Sequence, residues 1–249
     1  MLEISGPIGP ATSGYFDKAQ AKAVAAGVDV IVLRLDTPGG LDSSMRDIVK
    51  TILASPVPVI AWVGPGGARA ASAGTYILYA CHAAAMASGT NLGAATPIPI
   101  GGSAPLPKER KPEENARPAD QGGAPATPPS DAGELKAVND AVAYIRSLAE
   151  KRGRNADWAE QAVRSAASLS AEQALRLKVV DLLADRPAEL LDKLDGRSVQ
   201  TPAGPLTLHS SGAIVEQFEP DWRMRVLAVL TNPTIAYVLL LVGIYGLLL

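Results

Sequence analysis

The sequence predicts an α/β fold built around a mostly parallel β-sheet. Apolar runs of strand length alternate with amphipathic helical patterns in the first third of the chain, and the alternation resumes after residue 133. This alternation is typical of a parallel sheet covered by helices. The 249 residues, of which 47% are hydrophobic and 19% charged, suffice for one large domain with appendages and a buried core.

The first half of the chain predicts strands and helices in turn. Leu41–Ala54 places Met45, Ile48 and Ile52 on one face and predicts an amphipathic helix, and Ala68–Ala80 predicts a second helix. Four stretches predict strands because they alternate or are continuously apolar before a proline or glycine turn, and they are residues 1–4, 28–35, 57–63 and 84–87.

The second half adds three helices and a strand. Helical patterns cover Glu134–Arg152, Asn155–Ser165 and Ser170–Leu177, and Val179–Leu183 predicts a strand. Residues 196–221 predict a short β-rich extension. We therefore expect a main domain over residues 1–195.

Residues 97–133 interrupt this domain with a proline- and glycine-rich stretch. The stretch contains no aromatic residue and almost no bulky aliphatic residue. Such a composition buries too little apolar surface to offset the entropy of ordering, so it predicts a mobile loop.

Residues 222–249 predict a juxtamembrane segment and the start of a transmembrane helix. From Ile235 to Leu249 every residue is apolar or glycine. The run is shorter than the roughly 20 residues that cross a bilayer, so a buried terminal helix is the alternative. A helix packed on one side of a soluble domain keeps a polar face, and this run has none, which favours a truncated membrane span.

Composition excludes several classes of function. The net charge of −2 gives no basic surface for nucleic acid. The single cysteine, Cys81, excludes a disulfide framework and a multi-cysteine zinc site, and two histidines, His82 and His209, argue against a histidine-rich metal site. We find no phosphate-binding loop. An enzyme with this composition needs acid–base groups other than a histidine network.

Two glycine-rich junctions lie where predicted strands end, the edge at which open α/β sheets bind ligands. Gly39 and Gly40 follow the first buried strand and can expose backbone N–H groups, or they can simply form a tight turn. Ser72 lies in the second junction between two alanines, near a helix N-terminus that favours developing negative charge. The alternative for Ser72 is a helix cap or a small packing residue.

A serine nucleophile needs a base, and neither histidine is well placed. His82 is expected at the far end of the helix that follows Ser72, about 15 Å away, where it would meet the last helix carbonyls. His209 lies in the peripheral extension. A Ser-His-Asp triad therefore does not fit this sequence.

Lys136 is the remaining candidate base. It lies at the start of the long helix, where desolvation and the positive helix end would lower the pKa of the amine. The alternative is an ordinary solvated surface lysine. Asn139 and Asp140, one turn further, would either orient the amine or be surface polar residues.

Several segments together resemble one superfamily. Residues 36–40 (DTPGG) and 67–74 (GARAASAG) resemble the glycine pair and nucleophile turn of the ClpP/crotonase superfamily. Residues 90–97 (TNLGAATP) and 136–141 (KAVNDA) extend the resemblance to the NfeD family of membrane-bound serine proteases, in its long form with an N-terminal Clp-like domain. The resemblance implies the ClpP/crotonase fold, a superhelix of ββα units.

The resemblance also implies a set of site residues. They are the catalytic pair Ser72 and Lys136, the oxyanion-binding N–H groups of Gly40 and Ala73, and the supporting residues Gly39 and Asn139. Arg146 lies on the same predicted helix as Lys136, but a guanidinium cannot serve as a base. No metal or cofactor is implied.

The resemblance implies a membrane-anchored endopeptidase acting on hydrophobic segments. A stomatin-like (SPFH) membrane protein is its implied substrate or partner, and membrane lipid is a second implied partner. No nucleic acid partner is implied. A homo-oligomer and a catalytic domain outside the cytoplasm are also implied. Two alternatives stay open: a non-catalytic Clp-like scaffold that binds a stomatin-like partner, and a crotonase-type acyl-CoA enzyme.

Overall fold

The computed structural model describes residues 1–98, 132–218, 241 and 243–245. Strands and helices alternate along most of this length. In chain order the elements are β1 (Leu2–Ser5), α1 (Pro10–Ala25), β2 (Ile31–Asp36), α2 (Asp42–Ala54), β3 (Val59–Val63), β4 (Arg69–Ala71), α3 (Ala73–Ala80), β5 (Ala83–Met86), β6 (Asn91–Gly93), α4 (Ala132–Arg152), α5 (Ala156–Arg164), β7 (Ser168–Ser170), α6 (Ala171–Arg176), β8 (Leu182–Leu183), α7 (Pro187–Leu194), β9 (Ser198–Thr201) and β10 (Gly204–Thr207).

The main sheet has five strands in the order β1-β2-β3-β5-β8, and every neighbouring pair is parallel. This confirms the predicted α/β class with a mostly parallel sheet. All residues of β3 and β5 are buried, because the sheet is covered on both faces. Strands buried on both faces read as continuous apolar runs, which is why the sequence revealed them.

Two apolar cores lie on opposite faces of this sheet. Leu33 and Val63 point into the larger core, which the helices α1 to α6 cover. Ile60 and Trp62 of β3 alternate along the strand with residues such as Val63, so they point to the opposite face. There they enter a smaller core, which α7 and the β9-β10 hairpin cover. The hairpin therefore packs on this face of the sheet through Val199, and it lies in the stretch that the sequence predicted as a β-rich extension.

A second sheet, of order β4-β6-β7, corrects the predicted helix over Ala68–Ala80. Residues 69–71 form β4, which is parallel to β6, and Ala70 also forms a bridge with Thr37 on its other side. The backbone hydrogen bonds to these two neighbours outweigh the helix propensity of the alanines. As a result the helix begins at Ala73, and Ser72 occupies its N-cap position.

The remaining differences concern weak sequence patterns. The helices α1 and α7 were not predicted, since α1 has only a faint apolar stripe, but both begin with a proline, Pro10 and Pro187, as many helices do. The strand predicted over Val179–Leu183 is limited to the two residues of β8. Helices α2, α4, α5 and α6 lie within two residues of their predicted bounds.

Two predicted segments lie mainly outside the described residues. These are the loop over residues 97–133, of which 99–131 are not described, and the membrane segment 222–249, apart from residues 241 and 243–245. Within the described part of the chain, no helix combines the length and the apolar character that a membrane span requires.

Candidate active site

Ser72 adopts a strained backbone conformation at the turn between β4 and α3. Its φ of 51° and ψ of −118° lie outside the regions that residues with a side chain normally occupy. The conformation is held because the Ser72 N–H donates to the Gly93 carbonyl at 2.9 Å and the Ser72 carbonyl accepts from Thr75 at 2.9 Å. A strained serine at a strand-to-helix turn is typical of hydrolase nucleophiles.

Gly39 lies against the Ser72 side chain. A Cβ added at Gly39 would lie 2.5 Å from Ser72 Cβ and 3.0 Å from Ser72 Oγ, so only glycine fits beside the serine. The φ of +111° at Gly39 independently favours glycine. The Gly39 N–H donates to Thr37 Oγ1 at 3.0 Å, and its carbonyl accepts from Ile8 at 2.8 Å. The structure therefore brings the two glycine-rich junctions into contact.

Two backbone N–H groups near Ser72 are available to a ligand. Within the described residues, neither the Gly40 N–H nor the Ala73 N–H donates a hydrogen bond. Ala73 is the first residue of α3, where an N–H has no partner inside the helix. A Cβ at Gly40 would lie 2.0 Å from the Ile8 carbonyl oxygen, which fixes glycine there. Free N–H groups beside a hydroxyl are what an oxyanion hole requires.

Threonines that sequence reasoning did not single out support this turn. The Thr75 hydroxyl lies 2.9 Å from the Ala70 carbonyl and accepts from the Gly93 N–H at 3.2 Å, so it ties α3 to β4 and β6. Thr37 is fully buried, and its methyl carbon would lie 2.6 Å from a Cβ at Gly74. In the sequence, the sign of this close contact between Thr37 and α3 is Gly74, the residue without a side chain two positions after Ser72.

Lys136 differs from its prediction as a sheltered amine. It is the fifth residue of α4 and is exposed, and it forms no hydrogen bond or ion pair with any described residue. The exposure follows from the packing of α4, whose first buried residue is Ala141. Ser72 Oγ and Lys136 Nζ are therefore not hydrogen-bonded in the single chain.

A cluster around Arg46 fixes the part of α4 that follows Lys136. Arg46 Nη2 contacts the Asp140 carboxylate at 2.5 Å, and its guanidinium lies 4.3 Å from the centre of the Tyr144 ring. Tyr144 in turn stacks on Tyr76 of α3, with 6.1 Å between the ring centres. Since Lys136 lies one turn before Asp140, this cluster places the lysine-bearing turn beside the starts of α2 and α3.

Two other polar residues of α4, Asn139 and Arg146, have partners of their own. Asn139 Oδ1 accepts from Arg164 at 3.2 Å and makes no hydrogen bond with Lys136 in the described structure. Arg146 pairs with Asp157 and Glu160 of α5 at 3.0 and 2.9 Å. Arg146 therefore joins α4 to α5, away from Ser72.

His82 cannot act on Ser72. Its Nδ1 accepts the Val59 N–H at 3.1 Å, so it does not meet the last carbonyls of α3 as expected; Arg152 and Arg154 do. Burial, with a contribution from Arg152, lowers the pKa of His82 to about 4. His82 is thus a neutral residue beyond the far end of α3.

The buried His82 predicts acid sensitivity. Its folded pKa of about 4 is below the usual 6.5, so protonation favours the unfolded chain. We expect the contribution of neutral His82 to the free energy of unfolding to have its full value above about pH 6.5. This contribution should fall by up to about 3 kcal/mol as the pH drops towards 4. Urea titrations at several pH values measure this loss.

The matched variants are His82→Asn, which keeps an acceptor for Val59, and His209→Gln at an exposed histidine. The loss between pH 6.5 and 4 should be smaller in His82→Asn and unchanged in His209→Gln. An equal loss in all three proteins would contradict the assignment.

Comparison with protein families gives a match over residues 2–111 to the N-terminal domain of NfeD1b. The chain is also 36% identical, over 250 aligned residues, to the membrane-bound protease PH1510 of Pyrococcus horikoshii. That alignment covers 100% of this chain and 52% of the relative, so the chain spans about half the length of the relative.

Two solved structures are similar to this chain. One is a serine-to-alanine variant of the 1510-N membrane-bound stomatin-specific protease, with 35% identity, a TM-score of 0.72, and coverage of 88% of this chain and 96% of that one. The other is a lysine-to-alanine variant of the same protease in complex with a substrate peptide, with 34% identity, a TM-score of 0.74, and coverage of 91% and 94%.

Proposed function

The chain belongs to the NfeD family of membrane-bound serine proteases, and we propose that it is an endopeptidase in which Ser72 and Lys136 form a catalytic dyad. The observation that carries the proposal is the strained Ser72 turn in contact with Gly39, beside the unpaired N–H groups of Gly40 and Ala73. Each feature alone also occurs in structural turns, but their combination at one point is what nucleophilic catalysis requires.

In the proposed mechanism, the neutral Lys136 amine takes the proton of Ser72 Oγ as the oxygen attacks a peptide carbonyl. The N–H groups of Gly40 and Ala73 then receive the oxyanion, a contribution of about 3 kcal/mol per donor in comparable enzymes. The protonated Lys136 donates to the leaving amine, and water hydrolyses the acyl-enzyme. In this last step the neutral Lys136 takes a proton from the attacking water and returns it to Ser72 Oγ as the acyl group leaves.

The exposure of Lys136 implies that substrate binding completes the dyad. A lysine gives up its proton readily only when desolvated, and the single chain leaves this amine in water. Catalytic hydrogen bonds often tighten only in the complex with substrate. A bound peptide that covers the amine would both exclude water and bring Lys136 towards Ser72.

Exposed apolar side chains support a hydrophobic substrate. Leu41, next to Gly40, is 36% exposed, and Leu135, next to Lys136, is 46% exposed. Apolar side chains that lie beside the proposed catalytic residues and in water favour contact with an apolar peptide.

The relatives support a stomatin-like substrate and a membrane anchor. The similar solved protease is stomatin-specific and membrane-bound, and it was studied as serine and lysine variants, one with a substrate peptide. We propose the same substrate class here, with a catalytic domain over residues 1–195, a membrane segment within 222–249 and a site outside the cytoplasm. Self-association into a homo-oligomer and contact with membrane lipid are parts of the same proposal.

The competing function is a scaffold that binds a stomatin-like protein without cleaving it. It is tested by incubating the wild-type chain and Ser72→Ala with a peptide copied from the hydrophobic tail of a stomatin-like protein, followed by mass spectrometry of the products. We expect cleavage by the wild type and none by Ser72→Ala, because the nucleophile is lost.

The matched control is Ser147→Ala, since Ser147 is an exposed serine of α4 whose hydroxyl, among the described residues, donates to the Tyr144 carbonyl alone. This variant should cleave as the wild type does. Equal cleavage by Ser72→Ala, or none by the wild type, would overturn the protease assignment. Binding of acyl-CoA thioesters, measured by calorimetry, would instead favour a crotonase-type enzyme.

A further inference from the structure

We propose that Arg46 is a positioning residue that keeps Asp140 away from Lys136 and so leaves the lysine amine able to release its proton. The inference rests on the proposed role of Lys136 as the base. No element of the catalytic chemistry itself passes through Arg46.

The geometry shows that Arg46 holds Asp140. Its Nη2 lies 2.5 Å from Asp140 Oδ2, and its Nε lies 2.8 Å from Asp42 Oδ2, so one guanidinium holds two carboxylates. The Tyr144 ring, 4.3 Å from the guanidinium carbon, fixes its plane. Arg46 is the more sheltered partner, with 31% of its side chain exposed against 66% for Asp140.

The sequence spacing gives Asp140 a second possible partner. Asp140 follows Lys136 by four residues on α4, and side chains at this spacing are neighbours on a helix surface. An ion pair between them would stabilise the protonated amine. In the structure the pair does not form, because Asp140 contacts Arg46 and Lys136 has no ion-pair partner among the described residues.

Among the described residues, the other titratable or charged groups near this part of α4 are either paired, neutral or, like Glu134, not at the i,i+4 spacing from Lys136. They are Glu134 and Tyr144 on α4, Asp42 on α2, Tyr76 on α3, and the ion-paired Arg164 and Glu160 on α5. Burial raises the pKa of both Tyr76 and Tyr144, so these phenols stay neutral. Burial opposes the charge of Arg46, but Asp42 and Asp140 outweigh it and raise the pKa of Arg46. Asp140 is therefore the described carboxylate at i,i+4 spacing from Lys136, and Arg46 is its ion-pair partner.

The test compares three variants: Arg46→Met, Asp140→Asn and the double variant. Arg46→Met releases Asp140 to pair with Lys136, so the acidic limb of the profile of kcat/KM against pH should move to higher pH by about 0.5 unit. Asp140→Asn should produce no such upward shift. The double variant should return the limb to its wild-type position.

A structural role would give a different pattern. Both single variants break the same ion pair, and the double variant lacks the contact of Arg46 with Tyr144 just as Arg46→Met does. If the Arg46–Asp140 ion pair served only to hold α4 in place, Arg46→Met and Asp140→Asn would lose kcat/KM to the same extent. The double variant would then remain as impaired as Arg46→Met. That outcome would overturn the inference. Arg46→Lys, which keeps a cation near Asp140, should stay close to the wild type.

A second readout separates this inference from the proposed function. The exposed Lys136 can be acetylated with limiting acetic anhydride, and peptide mass spectrometry gives the rate at each pH. The acetylation rate increases with pH as the amine loses its proton. We expect the midpoint of this increase to lie at a higher pH in Arg46→Met than in the wild type, and at the wild-type pH in the double variant. Failure of Ser72-dependent cleavage would overturn the dyad alone, whereas identical labelling curves in all variants would overturn the role of Arg46.

Discussion

Replacing Lys136 with alanine is expected to lower kcat at pH 7 by about 10⁴-fold or more while leaving the free energy of unfolding unchanged. The catalytic loss is large because the Ser72 hydroxyl is a weak nucleophile without a base. The stability is unchanged because Lys136 is exposed and contacts no described residue through a hydrogen bond or ion pair. Peptide cleavage kinetics and urea titration of the same preparations measure both quantities.

The exposure of Lys136 makes this experiment unusually clear. Most catalytic substitutions also disturb packing, so that a loss of activity has two explanations, but here the substitution removes no hydrogen bond or ion pair to the described part of the chain. Lys136→Arg keeps the charge and should be equally inactive, because a guanidinium does not release its proton. Lys50→Ala, at an exposed lysine of α2, is the matched control and should be fully active. An active Lys136→Ala protein would show that another group deprotonates Ser72.

Sequence reasoning located the parts of the site that depend on local backbone geometry. Gly39, Gly40 and Ser72 could be predicted because glycine pairs and a serine between alanines follow predicted strands, whose carboxyl ends meet at one edge of the fold. The predicted helix over Ala68–Ala80 began too early, although a helix cap was the stated alternative for Ser72, because β4 exists only through its pairing with β6 and Thr37. Such pairing leaves little trace in three residues of sequence.

Side-chain environment was harder to predict than position. The exposure of Lys136 depends on where α4 first packs against α3, and the partner of Asp140 depends on Arg46, which lies on α2 far away in the chain. Helix periodicity gives the face of α4 but not the neighbour that it meets. Sequence reasoning considered Asp140 either as a group that orients Lys136 or as a surface residue. It did not consider Arg46 as a partner, because no pattern in the sequence of α4 predicts contact with α2.

Replacing Arg154 with methionine is expected to destabilise the fold by about 3–5 kcal/mol. The side chain of Arg154 is only 2% exposed, and its Nη2 contacts Asp181 at 2.9 Å. Its Nη1 donates to the carbonyl oxygens at the end of α3, Leu78 at 3.2 Å and Tyr79 and Cys81 at 3.0 Å. Methionine fills similar space but removes the arginine donor from these carbonyls and the cation from the Asp181 carboxylate, which keeps the Ala84 N–H at 2.7 Å.

The Arg154 site also matters for the candidate active site, because α3 begins at Ala73, directly after Ser72, and ends at these carbonyls. Urea titration of Arg154→Met should show the loss, and Arg154→Lys should lose less, since an ammonium keeps the charge facing Asp181 but reaches fewer carbonyls. Arg164→Met, at a surface arginine whose side chain is 46% exposed, is the matched control and should change the free energy of unfolding by less than about 1 kcal/mol. A loss of that small size for Arg154→Met would mean that water or Arg152 takes over the end of α3.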